Sequence, residues 1–484
     1  MAGIGVKLNK IYSKRTIATG IWGVGYSTVV SIAPMIVVIL AVILMQKWLG
    51  YSNAGYASRE LFSCTVLYIF IFSLLTAAPF NAVLSKYLSD IIYYDEYDSI
   101  MPCYYVGLSM NAVLSFIVGV PFCLHEYFVG EVDPVFVFIS FFGYMSLMIV
   151  FYTMLYLSIC KVYKLISLFF IIGMTVTVIL SLILVYLFGM NVIYAMVISL
   201  DTGFMIIASL EYALIRSYFR ENSGKYKEVF NYLKKYKGLI VTNFLYILGL
   251  YIHNFVFWST DMRIVVVKSF ICMPAYDMAT CLAMFTNISA SVIFISRVEM
   301  YFHERYKTYS EAVTGGRGMD IRNAKLRMFE QLADELLNLV RIQFIVTVVV
   351  FFLAMIFLPR LGFGGLVLRI YPCLTAGYFI LFIMYAAIIF LYYFNDYSGS
   401  VLTALVFVLT TFAGAMISKE LPPVWFGLGL VLGTLAGWTT AYFRLRRIER
   451  TLDVHIFCTG TLMKRKDGEM PSNKVYPRTE KKEK

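Results

Sequence analysis

Three apolar stretches carry polar groups that could do chemistry: Asp201 and Glu211 in the stretch around VISLDTGFMII, the neighbours His253 and Asn254 in LGLYIHNFVFW, and Asp277 at the start of the next. An ionisable side chain at a bilayer centre costs roughly 2.5–3.5 kcal/mol on insertion scales, so it turns toward a wet cavity or a partner. Asp201 therefore either lines a transport pathway or makes a hydrogen bond between helices. Glu211, about 15 Å further along a helix, falls near an interface beside Arg216. His253 is either a packed hydrogen-bonding residue or a proton carrier. Asp277 opens its stretch at one face, and Arg297 and Glu299 close it at the other, where long side chains snorkel to water. Asp201, His253, Asn254 and Asp277 are candidates for the lining of a substrate pathway, and Glu211, Arg297 and Glu299 for a cytoplasmic gate or a docking surface. Tyr26, Tyr246, Tyr251 and Tyr276 are placed to stack on pyranose C–H faces. Most of the 37 Tyr and 40 Phe must instead serve as interfacial belts and packing.

Bond-making chemistry has no such foothold. There is no P-loop and no nucleophile elbow. Eight scattered cysteines include no CxxC and no zinc spacing with the four histidines. They read as small buried hydrophobes. The sequence assigns no catalytic residue, no metal and no cofactor.

The elements that must hold these groups are membrane helices. Hydrophobic residues make up 60% of the 484 and charged residues 14%, against roughly 25% charged in soluble chains. The apolar runs are long and lack the alternation of barrel strands. The chain reads as an all-α polytopic membrane protein with about twelve spans. These are Gly20–Met45, Glu60–Ser85, Met101–Leu124, Pro134–Cys160, Ile166–Gly189, Val192–Ile215, Leu239–Trp258, Ala275–Ser296, Ile342–Leu358, Leu374–Phe394, Val401–Ile417 and Val424–Tyr442. The uncharged run from Thr16 to Gln46 is too long for a cleaved signal, so it is expected to be the first span. Pro34 and Pro79 would bend the first two, which is tolerated only against protein or a cavity.

Charge sets the topology. With both termini cytoplasmic, only Lys47, Arg59, Arg263, Lys268, Arg360, Arg369 and Lys419 of the 41 Lys and Arg fall outside, as the positive-inside bias requires. The net charge of +12 is thus topological and no sign of nucleic-acid binding. The organisation expected is a cytoplasmic start (1–19), a six-helix lobe (20–216), a basic linker (217–238), a second six-helix lobe (239–446) and a basic tail (447–484) expected to be disordered. Residues 297–341 repeat Ile321, Met328, Phe329, Leu332, Leu336 and Val340 at helical spacing. They read as an interfacial helix or as a docking surface for a cytoplasmic partner. No internal repeat is evident by eye.

Several stretches carry a family resemblance: the opening MAGIGVKLNKI, PFNAVLSKYLSDIIYYDEYDSI, LGLYIHNFVFW, and YDMATCLAMFTNISASVIFISRVEMYFHERY. They resemble the PelG family, membrane transporters of Pel-type exopolysaccharide systems. Two departures stand out: His253 and Asn254 replace a charged pair common in the family, and SIAPM (Ser31–Met35) replaces a more glycine-rich segment. The resemblance implies kinship with the flippase superfamily of multidrug antiporters and oligosaccharide-lipid flippases: two six-helix lobes around a central cavity. It implies transport of a nascent amino-sugar polysaccharide across the cytoplasmic (inner) membrane of a bacterium. The implied partners are a cytosolic glycosyltransferase and membrane scaffold proteins, one sensing cyclic di-GMP, with the loops Arg216–Lys237 and Arg297–Arg341 as docking surfaces.

Two other functions compete. An ion-coupled small-molecule antiporter wants a buried carboxylate, often in the first span. None lies there, although Asp201 could substitute. A membrane-embedded glycosyltransferase wants outward acidic residues. Glu60, Glu126, Glu131, Asp133 and Asp261 are a thin supply.

Overall fold

The computed structural model describes residues 17–94, 96–160, 163–287, 301–361 and 364–459. Helices occupy all twelve predicted positions. The first half holds α1 (Ile17–Trp48), α2 (Tyr56–Ala77), α3 (Asn81–Tyr93), α4 (Ile100–Phe128), α5 (Pro134–Cys160), α6 (Tyr163–Tyr186) and α7 (Val192–Tyr218). A short helix α8 (Tyr226–Lys235) leads to α9 (Lys237–Phe257). A hairpin of β1 (Ile264–Val266) and β2 (Phe270–Cys272) then precedes α10 (Pro274–Asn287). The chain continues through α11 (His303–Gly315), α12 (Gly318–Phe357), α13 (Leu366–Tyr393), α14 (Tyr397–Ser418) and α15 (Leu428–Thr459). Ten helices among the described residues are long and apolar enough to cross a membrane. The first and eighth predicted spans fall on α1 and α10, each described in part. The second predicted span is broken between α2 and α3 at Ala78–Phe80, where Pro79 lacks the N–H that would continue the ladder.

Packing carries a repeat that the sequence hides. In the first half α5 packs on α7, α6 on α7, α1 on α6, α2 on α5 and α4 on α5. In the second, α13 packs on α15, α14 on α15, α9 on α14, α10 on α13 and α12 on α13. Numbering the spans within each half gives the same five pairings. Each set forms a lobe. Large apolar side chains such as Ile117, Phe138, Ile179, Phe352 and Leu409 remain exposed, as lipid-facing surfaces do.

The segment leading into the ninth predicted span and the tail differ from two expectations. α12 runs 40 residues without a break, about 60 Å, twice the hydrocarbon thickness. It pairs with α11, and their apolar face does not lie on lipid: Phe302, Tyr309, Met328 and Leu332 pack with Phe390 and Phe394 of α13 and with Ile448 and Leu452 of α15. The tail is therefore ordered further than expected, because burial of Ile448 and Leu452 extends α15 to Thr459. The remainder of the tail lies outside the described residues.

Candidate functional site

The predicted polar residues of α9 and α10 meet inside the second lobe. They are spaced on their helices so that each side chain faces the other helix. His253 Nδ1 lies 2.9 Å from the Tyr276 hydroxyl. Asn254 Nδ2 donates to Asp277 Oδ1 at 2.7 Å. The Asp277 carboxylate also accepts from the Trp258 indole at 3.0 and 3.1 Å and from the Met273 backbone N–H at 3.1 Å. A buried charge is tolerable only with such donors around it. His253, Asn254, Tyr276 and Asp277 are all buried. Tyr246 stacks on Tyr385 of α13, ring centroids 4.7 Å apart, and Tyr251 is half-buried further along α9.

Asp201 and Glu211 are not part of that group. Both are buried in the first lobe on α7. Neither carboxylate oxygen of either residue has a hydrogen-bond partner among the described residues. Asp201 seats against the backbone of α5 at Gly143, where an added Cβ would stand 2.0 Å from Oδ1. The helix–helix hydrogen bond considered for Asp201 is thus absent among the described residues. The side chain of Tyr26, and Arg297 and Glu299, lie outside the described residues.

The lobes face each other along a seam formed mainly by α2, α3, α8 and α9, bridged at both ends. At the end rich in Lys and Arg, Tyr232 of α8 donates to Asp90 Oδ2 of α3 at 2.5 Å, and Lys86 lies over the Tyr236 ring at 5.4 Å. Burial first, and then the Asp90 hydrogen bond, push the Tyr232 hydroxyl well above the usual tyrosine range, so it remains a donor. Midway, Asn243 of α9 donates to the Ala78 carbonyl at 3.0 Å, and Phe72 of α2 stacks on Phe255 of α9 at 6.1 Å. At the other end, Tyr68 of α2 stacks on Trp258 at 5.0 Å and on Phe270 of β2 at 5.4 Å. The Tyr68 hydroxyl donates to the Ile271 carbonyl and accepts from its N–H.

An apolar recess between α2, α4, α5 and the hairpin is lined by Tyr68, Phe72, Phe122, Phe141, Tyr144 and Phe270. It holds about 60 Å³, far below the roughly 300 Å³ of a small-molecule site. Both ends of the seam are closed in this conformation. Among the described residues no group of three or more His, Cys, Asp or Glu is placed to hold a metal.

Several residues of the seam escaped sequence reading. Tyr68 and Trp258 are two among many aromatics, and nothing local marks them. Cys64 of α2 and Cys272 of β2, read as buried hydrophobes, form a disulfide across 208 residues. A second polar cluster was within reach, since amides stand out in apolar helices. Asn287, Gln343 and Thr347 bond one another: Thr347 Oγ1 donates to Asn287 Oδ1 at 2.7 Å and Gln343 Nε2 to Thr347 Oγ1 at 2.9 Å. It ties α10 to α12 and, through Asn287 Nδ2 donating to the Thr375 carbonyl at 3.2 Å, to α13, and reads as packing.

The fold is that of known transporters. The chain is similar to a multidrug resistance MATE family transporter of the MOP superfamily in its outward-facing conformation (14% identity, 89% of this chain and 96% of that one, TM-score 0.57). It is similar to an inward-facing form of such a transporter (12% identity, 88% and 99% covered, TM-score 0.56). It also resembles a MOP superfamily transporter from Pyrococcus furiosus (13% identity, 89% and 96% covered, TM-score 0.55). At these identities the likeness establishes the fold alone. No curated protein matches the chain. Residues 1–457 match the PelG family, described as "Putative exopolysaccharide Exporter (EPS-E)", and the chain belongs to that family.

Proposed function

We propose that the protein carries a nascent amino-sugar exopolysaccharide across the bacterial cytoplasmic membrane. The observation that carries the reading is the seam. Two lobes of matching packing meet along a line of aromatic side chains, closed at one end by side-chain contacts that can part without unfolding either lobe and at the other by such contacts together with the Cys64–Cys272 disulfide. Alternate parting of the ends would pass a chain of sugars over aromatic faces, which suit pyranose C–H surfaces. Both termini lie in the cytoplasm on this reading, since the Lys- and Arg-rich loops do. No bond is made or broken by the protein. The polymer is supplied by a cytosolic glycosyltransferase, held with scaffold proteins that respond to cyclic di-GMP. The α11–α12 pair, which projects past the span and exposes Arg305 and Arg327 on one groove, is the docking surface for that enzyme.

The test is export in a deletion strain complemented with the wild-type chain or with Trp258→Ala. Polymer should vanish from outside the deletion strain, return with the wild type and fall with the variant. Normal external polymer in the deletion strain would overturn the reading.

A second reading, an ion-coupled small-molecule antiporter, is favoured by one observation: the buried, unpartnered carboxylates of Asp201 and Glu211. It expects the deletion to sensitise cells to cationic compounds, and Asp201→Asn to reproduce that effect.

A further inference from the structure

The β1–β2 hairpin reaches across the seam from the second lobe and is fastened to the first at four places. The Cys272 sulfur is bonded to Cys64 of α2, with Cα atoms 6.3 Å apart. The Ile271 backbone exchanges two hydrogen bonds with the Tyr68 hydroxyl. Ser269 donates to the buried Glu126 of α4. Lys268, at the hairpin tip, pairs with Glu131 in the loop after α4. Three of these contacts are reversible and the first is covalent.

Its root in the second lobe is equally short. Cys272 stands two residues before Pro274, the first residue of α10. The intervening Met273 is held to α10 by its N–H bond to Asp277. A disulfide spans at most about 6.8 Å between Cα atoms, and two extended residues add about 7 Å. The path from Cys64 to Pro274 therefore cannot exceed about 14 Å, and the hairpin cannot swing clear of the mouth while the bond is intact. Without it, the hairpin is held down by non-covalent contacts alone: those of Tyr68, Ser269 and Lys268 and the packing of Phe270 on Phe122.

We propose that Cys64 and Cys272 form a redox lock on the extracytoplasmic gate. This rests on the orientation argued above, which puts the pair at the Lys- and Arg-poor face, where disulfides persist. The lock closes by thiol–disulfide exchange with a protein disulfide of that compartment. The two thiols give up two protons and two electrons, and the donor disulfide leaves as a dithiol. It opens by the reverse exchange with a protein dithiol. Oxidised, the outer ends of α2 and α10 stay together and the gate is shut. Reduced, the lobes part there and polymer leaves.

The experiment places a reporter at the seam, Phe255→Cys, in right-side-out membrane vesicles. Labelling by a membrane-impermeant maleimide is mapped by mass spectrometry of peptides, which also reads the state of Cys64 and Cys272. Cys64 and Cys272 should resist alkylation until reduced. Labelling at position 255 should rise severalfold when an impermeant phosphine reductant is added, and to the same level without reductant in Cys64→Ser. Reduction of the otherwise unaltered chain keeps the test valid where Cys64→Ser folds poorly. Cys64 and Cys272 freely alkylated without reductant, or labelling unchanged after the bond is cut, overturns the lock and leaves polymer export untouched. Labelling at 255 only in inverted vesicles overturns the orientation instead. Loss of external polymer in the deletion strain is read separately and bears on export alone.

Discussion

The Asp277 carboxylate in α10 fixes the indole of Trp258 in α9, accepting its N–H at 3.0 and 3.1 Å, and that indole stacks on Tyr68 of the opposite lobe. A buried acid in one lobe thus sets the angle of the ring that touches the other. From sequence, Asp277 is a candidate for the pathway, and its hydrogen bonds also position the ring at the closed end of the seam.

Asp277→Ala should strip partners from three buried donors: Asn254 Nδ2, Trp258 Nε1 and the Met273 N–H. Each buried unsatisfied group costs about 1–3 kcal/mol, so thermal unfolding of the purified protein should shift down clearly. Trp258→Phe keeps the ring across the seam and frees only part of the network. It should cost less than half as much in the same melt. Equal losses for the two variants would remove the claim that Asp277 serves several donors.

Gly143→Ala tests the seating of Asp201. The new Cβ would meet Asp201 Oδ1 at 2.0 Å and its carboxyl carbon at 2.8 Å, so the Asp201 side chain or one of the two helices must shift. Overpacking of this kind costs about 1–3 kcal/mol. Removing the obstacle in Gly143→Ala/Asp201→Ala should recover most of it, a coupling visible in a double-mutant cycle of thermal stability. Additive losses would mean that the two residues do not touch.

At the Lys- and Arg-rich end of the second lobe Asp396 caps α14 through the Gly399 N–H at 2.9 Å and takes a fork of bonds from Arg444 of α15 at 2.8 and 3.1 Å. Burial alone would raise its carboxyl. The Arg444, Gly399 and Ser398 donors outweigh burial and hold it below the ordinary 3.8. A lowered value in the folded state means stability that is full above the unfolded value and is lost as pH falls below about 3.8 toward the lowered one. Asp396→Ala should cost about 1–2 kcal/mol at neutral pH, the usual loss of a cap. It should also flatten that acid limb of a stability–pH curve. An unchanged limb would place the acid sensitivity elsewhere.

The spans were legible because hydrocarbon demands long uncharged runs, and a run such as Leu165–Leu187 has no other use. The helices α11 and α12 were legible in part. The repeat of Met328, Leu332 and Leu336 gave the helix, but which surface covers it depends on α13 and α15, far along the chain. The lobe repeat was invisible because pairings of helices survive with almost any apolar side chains between them. Asp277, Asn254 and His253 were found because polar groups stand out against apolar neighbours. Tyr68, Trp258, Cys64 and Cys272 were missed for the opposite reason. Each looks like its surroundings, and only the 208-residue closure of α2 onto β2 gives them meaning.

The Lys- and Arg-rich end of the seam offers the last prediction. Tyr232 donates to Asp90 and its ring packs edge-on to Tyr87 at 5.0 Å. Because burial and Asp90 raise the hydroxyl, the bond should hold at every physiological pH, and closure of this end should not vary between pH 6 and 8. Tyr232→Phe keeps the ring contact and removes the donor, leaving an acid without this partner, at a cost of about 1 kcal/mol. That loss loosens one end of the seam but neither lobe. A cysteine at Asn243, labelled in the purified protein with a maleimide, should therefore react faster in Tyr232→Phe, while the melting temperature moves little. A large fall in melting temperature with unchanged labelling would mean that Tyr232 supports the fold of its own helix rather than the closure between lobes.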